Sequence, residues 1–594
     1  MKNIKHIAFL LVWVLAFSSC DLTETQKSDA DAALIFGSET GLKTYSYTFY
    51  NFFPDGNHVY NRDEMADYLA KAKLDSDYEK GALTPDNNGS WDWTDIRTVN
   101  YFLDHNKYET VDVKIRNNYN GIARFFRAWL YFDKLRTYGG VPWIDHVLNP
   151  GDPELTAPRD SRDVIIKHII EDCNYAYENI ILENSSSCNA SFVNKYCAML
   201  LKSRACLFEA SWRKYHAGTE YVAGCTITAD ELFSEAADAA YEIIDNKVFS
   251  LHTGTANKDG WGPYRELFSS DSVPTDEVML AVSSDTKLSA NNASYYFNKQ
   301  DIKPSLTRPF MNTYLNIDGS FYKETKDDGK VKSFVEETTD RDYRLNQTIR
   351  AKDYVCTDTE GNKKLTTANY NYSPTGYHII KFCVDNMSYF DYSVGYNDIP
   401  IMRYAEVLLN YAEAKAELGT LTDGDWKITV GALRRRAGIT GGDLDSKPTA
   451  VDPYLKSTYF PEIDNAVILE IRRERTIELC LEGFRMMDLK RWKKGEIWAN
   501  AKWTGISISD VDTAIDMNGD GVPDLYYEDR TTAPAEYADI KAALPEKAEL
   551  LSVPGGKIIN YKLDGRVWED KMYLEPISSS DITMNSNLEQ NPGY

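Results

Sequence analysis

Apolar residues recur every three or four positions over several long stretches of the chain, the period of a helix with one buried face. Such runs lie at 41–53, 95–107, 122–138, 161–180, 194–215 and 233–244. Ser161 can cap the start of the fourth run, and Gly139 with Gly140 ends the third. The N-terminal part is therefore predicted to be mainly helical.

A further helix is predicted at 397–419, where apolar and small residues form one face. Asn397 or Asp398 is the candidate cap, Pro400 suits the first turn, and Gly419 ends the run. The small residues on its face allow a second helix to approach closely, so we expect this helix to lie in the core.

The stretch 468–492 is predicted to be its partner helix, with Ile471, Arg475, Glu478 and Glu482 forming one stripe. Charged residues on a packing face need partners. A network of Arg and Glu ion pairs that fixes how helices dock is favoured over a pair of catalytic carboxylates. The reason is that buried ions held in pairs are commoner than buried carboxylates whose pKa is shifted for catalysis.

Between these helical parts the pattern changes to short strand-like runs, such as 277–282 and 377–384, separated by Gly, Asn, Asp and Ser. A second loop-rich insert is predicted at 503–567. The fold class is therefore mainly α, with tetratricopeptide-like helix pairs as a scaffold and loop-rich, short-strand insertions as the working surface.

Composition describes a folded protein of 594 residues, 43% apolar and 26% charged. There are 66 Lys and Arg against 90 Asp and Glu, a net charge of −24. Such a surface repels phosphate backbones, which argues against nucleic-acid binding.

The amino terminus has the features of an export signal. Lys2 and Lys5 precede an apolar run at 7–17 that is too short to span a bilayer. Small residues then precede Cys20, as at the sites where bacterial lipoprotein leaders are cut. We predict a signal peptide at 1–19 and an acylated Cys20, followed by a polar tether at 20–36; plain secretion with an ordinary Cys20 is the alternative.

Eight further cysteines show no metal-binding spacing. Cys173, Cys197 and Cys206 fall in helical patterns, as does Cys480, and are predicted to be buried apolar residues. Cys356 and Cys383 flank a strand-like stretch, and a disulfide between them is a weaker hypothesis.

Four motifs resemble those of the SusD/RagB family of outer-membrane lipoproteins. They are ARFFRAWLYFDKLRTYGGVPWID at 123–145, RYAEVLLNYAEAKAELG at 403–419, RRERTIELCLEGFRMMDLKRW at 472–492 and the terminal QNPGY at 590–594. The resemblance covers most of the chain after Cys20, with the motifs in the family's order. It implies an N-terminal SusD-like helical part at 37–250 and a C-terminal RagB/SusD part at 251–594, forming one compact body.

The resemblance also implies a function. A SusD-like protein is a lipid-anchored, surface-exposed protein of the outer membrane that binds an oligosaccharide and delivers it to a SusC-like TonB-dependent transporter. Two alternatives remain open, a RagB-like protein that captures peptides and a surface glycoside hydrolase. No GxSxG, HExxH, Walker-type or GxGxxG motif is present, so no catalytic residue is assigned and no cofactor is required.

The chain has 40 Tyr and 12 Trp, and flat rings with polar edges can stack on the apolar faces of sugars. Candidate platforms are four clusters placed in loops, with Trp93 ranked below Trp91 because it resembles a family packing position. The candidate ligand-binding residues are Trp91, Trp261, Tyr264, Tyr295, Tyr296 and Tyr322.

The segment DMNGDGVPD at 516–524 has the spacing of a calcium loop. The candidate ligands are Asp516, Asn518, Asp520, Val522 and Asp524, with Gly521 at the turn. Position twelve is Tyr527 rather than the usual bidentate acid, so a structural calcium ion and a solvated acidic turn both remain open.

Overall fold

The computed structural model describes residues 32–54, 62–181, 190–258, 260–287 and 290–594. Cys20, the predicted signal peptide and most of the predicted tether lie outside the described residues. Residues 32–36 are helical, and Ala32 and Phe36 are already buried in the core. The predicted tether at 20–36 is therefore wrong at its C-terminal end, since its last residues belong to the folded body.

Six longer helices form the N-terminal part. They are α1 (Glu39–Ser46), α2 (Thr94–His105), α3 (Val113–Tyr138), α4 (Arg162–Asn179), α5 (Lys195–Tyr215) and α6 (Ala229–Asn246). Ser161 caps α4 by accepting a hydrogen bond from the Val164 amide, and α3 ends at Gly139, whose φ is 85°. Consecutive helices from α3 to α6 pack on one another, which confirms the predicted helical scaffold.

The remaining helices are mostly short. They are α7 (Pro263–Ser269), α8 (Ala293–Lys299), α9 (Arg308–Met311), α10 (Phe334–Glu337), α11 (Tyr343–Thr348), α12 (Tyr404–Glu417), α13 (Asp423–Ile428), α14 (Val430–Arg436), α15 (Pro453–Thr458), α16 (Ala466–Glu478), α17 (Arg485–Arg491), α18 (Glu496–Asn500) and α19 (Ser579–Met584). Helix α12 packs on both α6 and α16 and so joins the two parts of the chain. The mainly α fold class is confirmed.

Five small sheets of two or three strands accompany the helices in the described residues. The strands are β1 (Leu69–Ala70), β2 (Val278–Val282), β3 (Ser305–Leu306), β4 (Val355–Thr357), β5 (Lys363–Leu365), β6 (Ile399–Arg403), β7 (Thr504–Ile508), β8 (Ala514–Ile515), β9 (Leu525–Glu528), β10 (Lys541–Ala543), β11 (Ala548–Val553) and β12 (Gly556–Tyr561). The pairs are β1 with β3, β2 with β6 and β4 with β5. The insert at 503–567 contains two three-stranded sheets, ordered β10-β9-β8 and β11-β12-β7, so it is more regular than a loop-rich segment.

The predicted strand at 377–384 does not form. Tyr377 and Ile379 make only isolated bridges, with Leu306 and Ile349. Phe382 has φ of 67°, which a continuous strand cannot accommodate.

The predicted helix at 397–419 begins later than expected. Residues Ile399–Arg403 form β6, fully buried and antiparallel to β2, and α12 starts only at Tyr404. The proposed cap at Asn397 or Asp398 and the helical position of Pro400 are therefore wrong, because pairing with a distant strand fixes this segment as extended backbone. Gly419, with φ of 70°, follows the end of the helix as predicted.

The predicted helix at 468–492 is two helices. Leu481 and Gly483 have φ of 64° and 84°, which no helix allows, and they separate α16 from α17. The charged stripe nevertheless forms the predicted ion-pair network, in which Glu478 contacts Arg344 at 2.7 Å and Arg403 at 2.6 Å.

The core is shared by both parts of the chain. The largest apolar cluster contains residues of α1 to α6 together with residues of α12 and of the C-terminal segment at 573–588. Cys356 and Cys383 are both buried free thiols, so the hypothesis of a disulfide between them is wrong. Over the described ranges, no helix combines the length and apolar character needed to cross a membrane.

Candidate functional site

A surface cleft of about 470 Å³ lies beside Trp91 and Trp93, and it is called the tryptophan cleft below. Both rings are partly exposed; their centroids are 5.4 Å apart and their planes are nearly perpendicular, at 75°. Two adjacent ring surfaces at this angle can hold a ligand from two sides.

The two rings are held by neighbouring helices. Trp93 immediately precedes α2, and the Asp92 carboxylate accepts a hydrogen bond from the Thr94 amide at 2.9 Å. The Trp91 ring packs edge-on against Tyr138 of α3 at 5.0 Å. The ammonium of Lys134 lies 4.7 Å from the Trp93 ring centroid and stabilises the ring through a cation–π contact. The rings are thus positioned before any ligand arrives.

Polar side chains surround the rings. Asp92 and Arg97 are exposed, and His146 is partly exposed across the cleft. The His146 ring donates a hydrogen bond to the Asp145 carboxylate at 3.0 Å, and this bond raises the pKa of His146 above its ordinary value. The hydrogen bonds donated by Thr94 lower the pKa of Asp92, which therefore stays an acceptor. Together these groups offer donors and acceptors next to flat apolar surfaces.

The rim of the cleft is apolar and comes from distant segments. Leu155 is 49% exposed and Met584 is 74% exposed, and both line the cleft. Sequence reasoning identified Trp91 and Trp93 but missed this rim and His146. No local signal marks them, because the segments at 142–155 and 581–588 meet 91–100 only in the folded chain.

Three of the predicted ligand-binding rings are buried and are not platforms. Tyr264 is 1% exposed and donates a hydrogen bond to the Glu478 carbonyl at 2.9 Å. Tyr296 is 8% exposed and donates to Glu64, and Tyr322 is 7% exposed beneath the Arg341 guanidinium. The prediction is wrong for these residues, because a ring that is already packed on protein has no face to offer a ligand.

The remaining two predicted rings lie apart from the tryptophan cleft. Trp261 is partly exposed, and its indole N–H donates to Glu266 at 3.0 Å. Tyr295 is partly exposed on α8 and contacts the ring of Tyr392, which is 65% exposed. The structure therefore does not bring the predicted aromatic residues into one site.

The loop at 516–524 folds around its own carboxylates. Asp516 accepts hydrogen bonds from the Gly519 and Gly521 amides at 2.6 Å and 2.8 Å, and Asp524 accepts one from Met517 at 3.0 Å. In the part of the chain that the structure describes, no group of three or more His, Cys, Asp or Glu side chains is placed to hold a metal. The oxygen donors suit calcium chemically, and the calcium site stays a prediction.

Comparisons with known proteins agree on a single family. The model of the SusD family matches residues 275–594. A curated relative, the SusD-like protein P38 of Formosa agariphila, is 24% identical over 402 residues, which cover 63% of this chain and 66% of that protein. The matched region thus spans just under two thirds of the relative's length.

Solved structures show the same fold over nearly the whole chain. A SusD-like protein from Bacteroides fragilis has a TM-score of 0.67 at 20% identity, covering 94% of this chain and 98% of its own. A SusD-like carbohydrate binding protein from the same organism has a TM-score of 0.66 at 19% identity, covering 93% and 100%. With the family model matching more than half of its length and the fold shared throughout, this chain belongs to the SusD family.

Proposed function

We propose that the protein binds an oligosaccharide at the surface of the outer membrane, where an acylated Cys20 anchors it, and delivers the sugar to a SusC-like TonB-dependent transporter. In this proposal it binds its ligand without cleaving it. Support comes from membership of the SusD family and from the leader-like sequence pattern that precedes Cys20. A structural relative described as a carbohydrate binding protein adds to this support.

The geometry of the tryptophan cleft is the main reason for proposing a sugar as the ligand. Partly exposed, perpendicular indole rings surrounded by carboxylate, guanidinium and imidazole groups match a sugar, which has apolar ring faces and hydroxyls at its edges. We infer that Trp91 and Trp93 stack on sugar rings while Asp92, Arg97 and His146 bond to hydroxyls.

The test is a glycan array, followed by calorimetric titration of the best ligand, with protein that begins after Cys20. Trp91→Ala and Trp93→Ala are each expected to weaken binding by about 10-fold or more, equivalent to about 1.4 kcal/mol. Tyr241→Ala is the matched control, since this ring is 46% exposed but lies on α6 away from the cleft. Peptides form the second arm, and binding of peptides with no response to any glycan would refute the proposal.

The anchor and the transporter have separate tests. Cys20→Ser is expected to release the protein from the outer membrane in cell fractionation, because removing the acyl chains removes the hydrophobic anchor. Copurification of a TonB-dependent channel with the wild-type protein is expected from detergent-solubilised membranes. Retention of Cys20→Ser at the membrane without that channel would contradict the lipid anchor.

A further inference from the structure

A second cavity, partly open to solvent, lies elsewhere in the molecule, and none of its lining residues lines the tryptophan cleft. Its volume is about 540 Å³, within the range of about 300–1,000 Å³ that is common for ligand pockets. Helices α3 and α5 form one side, and the segment 62–79, residues 482–484, helix α17, Ile401 and Glu575 form the rest. The cavity therefore lies between the N-terminal scaffold and the C-terminal part, and it is called the inter-part cavity.

Part of its wall is apolar and part is charged. The apolar wall consists mainly of Trp129, Phe132, Phe208, Phe484 and Met487. Most of the charged lining residues are paired within the protein, for example Lys71 with Glu79 at 2.6 Å. Arg62, Lys490 and Glu575 are different, since among the described lining residues they are the charged groups whose side chains make no salt bridge or hydrogen bond.

The two unpaired cations are held in place by their surroundings. The stem of Arg62 runs against Gly483, where a Cβ would come within 2.9 Å of the Arg62 Cβ. The next residue, Asp63, accepts hydrogen bonds from the Gly483 and Arg485 amides at 2.9 Å and 3.2 Å. On α17, the Lys490 ammonium lies 4.9 Å from the centroid of the Tyr78 ring. Both cations are thus presented by fixed backbone.

The Arg62 side chain is exposed and those of Lys490 and Glu575 are partly exposed, so all three can contact a ligand that enters the cavity. Partial burial lowers the pKa of Lys490 to about 8 and raises the pKa of Glu575, although the charge of each group opposes the shift of the other. A charged group taken from bulk water without a partner is destabilising, and a counter-ion relieves that cost. Two unpaired cations and one unpaired carboxylate leave one positive charge, within a chain whose net charge is −24.

We propose that the inter-part cavity is a second saccharide site that selects sugars bearing an oxyanion, a carboxylate or a sulfate, held by Arg62 and Lys490. Glu575 accepts hydrogen bonds from the sugar hydroxyls, and the partly exposed ring of Trp129 covers the apolar face of the sugar ring. That the ligand is a saccharide rests on the proposed function, whereas the preference for an oxyanion rests on the unpaired cations.

The experiment is calorimetric titration of protein that begins after Cys20 with glucuronate, glucose 6-sulfate and glucose as probes. At least one of the two anionic sugars is expected to bind and to raise the melting temperature, and the one that binds more tightly identifies the oxyanion. Neutral glucose is expected to bind at least about 10-fold more weakly, because it lacks the charge-assisted contacts.

Variants separate this site from the tryptophan cleft. Lys490→Met keeps most of the unbranched apolar stem without the ammonium group and is expected to weaken anionic sugar binding by about 10-fold or more. Lys541→Met makes the same change at an exposed position outside the cavity and is expected to leave binding unchanged. Trp91→Ala is also expected to leave the binding of anionic sugars unchanged. A loss of binding in this variant would indicate that the anionic sugar binds at the tryptophan cleft instead.

Several outcomes would overturn the inference. They are equal binding of glucose and the anionic sugars, full binding by Lys490→Met, and no binding of either anionic sugar by the wild-type protein. If oligosaccharides still bind at the tryptophan cleft in that last case, the oxyanion site alone fails. If no saccharide of any kind binds, the proposed function fails with it.

Discussion

Replacing Glu478 by Gln tests whether buried ion pairs hold the C-terminal helices together. Glu478 is fully buried, and its carboxylate accepts hydrogen bonds from Arg344 at 2.7 Å, from Arg403 at 2.6 Å and from Arg436. Burial alone would raise the pKa of Glu478, but these guanidiniums together hold it well below its ordinary value. Gln keeps the shape of the side chain but removes the charge and replaces one acceptor oxygen by an NH2 donor.

The expected loss in the free energy of unfolding depends on which carboxylates still pair with the three arginines. Removing one member of a buried ion pair costs about 3–5 kcal/mol, because the other charge is left uncompensated. Each guanidinium here keeps a second carboxylate, from Glu474 at 2.6 Å, Glu482 at 2.7 Å and Glu277 at 2.8 Å. We therefore expect Glu478→Gln to lower the free energy of unfolding by about 3 kcal/mol, the lower end of that range.

Urea unfolding of protein that begins after Cys20, followed by circular dichroism, measures this cost. Glu549→Gln is the matched control, because Glu549 pairs with Lys562 at 2.6 Å on the surface, where both side chains are about half exposed. Such a pair contributes about 0–1 kcal/mol. A loss in Glu478→Gln no larger than that of the control would refute the view that the network stabilises the docking of α16.

Two further predictions concern protonation and calcium. The His252 ring bonds to Asp276 at 2.9 Å and to Glu266 at 2.7 Å, and although burial lowers its pKa, these bonds raise it above the ordinary value. The stability that His252 contributes is therefore fully present below the unfolded pKa of about 6.5 and is lost as the pH rises through the raised folded pKa. His252→Gln should accordingly be less stable than the wild type in urea unfolding near pH 5.5 and equally stable near pH 9, to within about 0.5 kcal/mol; a pH-independent difference would contradict this. For the loop at 516–524, millimolar calcium is expected to raise the melting temperature of the wild type but not that of Asp516→Asn, and an unchanged wild-type melting temperature would count against a calcium site.

Local interactions explain what the sequence predicted correctly. Helix α4 begins after Ser161 and α3 ends at Gly139, because a cap and a left-handed glycine act within about one helical turn of their own positions. The ion-pair network was also predicted, since charges on the packing face of a helix need partners wherever these come from. The SusD family was recognisable for the same reason, because its motifs are continuous segments of the chain.

Long-range contacts explain the errors. Residues 399–403 continue a helical pattern, but their pairing with β2, more than a hundred residues earlier, makes them a strand. Tyr264 and Trp91 are equally aromatic in sequence, yet one lies beneath α16 and the other at an open cleft.

The amino-acid sequence by itself determined the main helices of the N-terminal part, the cap at Ser161, the need for ion pairs and the family. Only the tertiary structure decided which rings stay exposed and which cations stay unpaired, Arg62 and Lys490 among them. The reason is physical: exposure and charge compensation depend on every segment packed around a side chain, and those segments come from all along the chain.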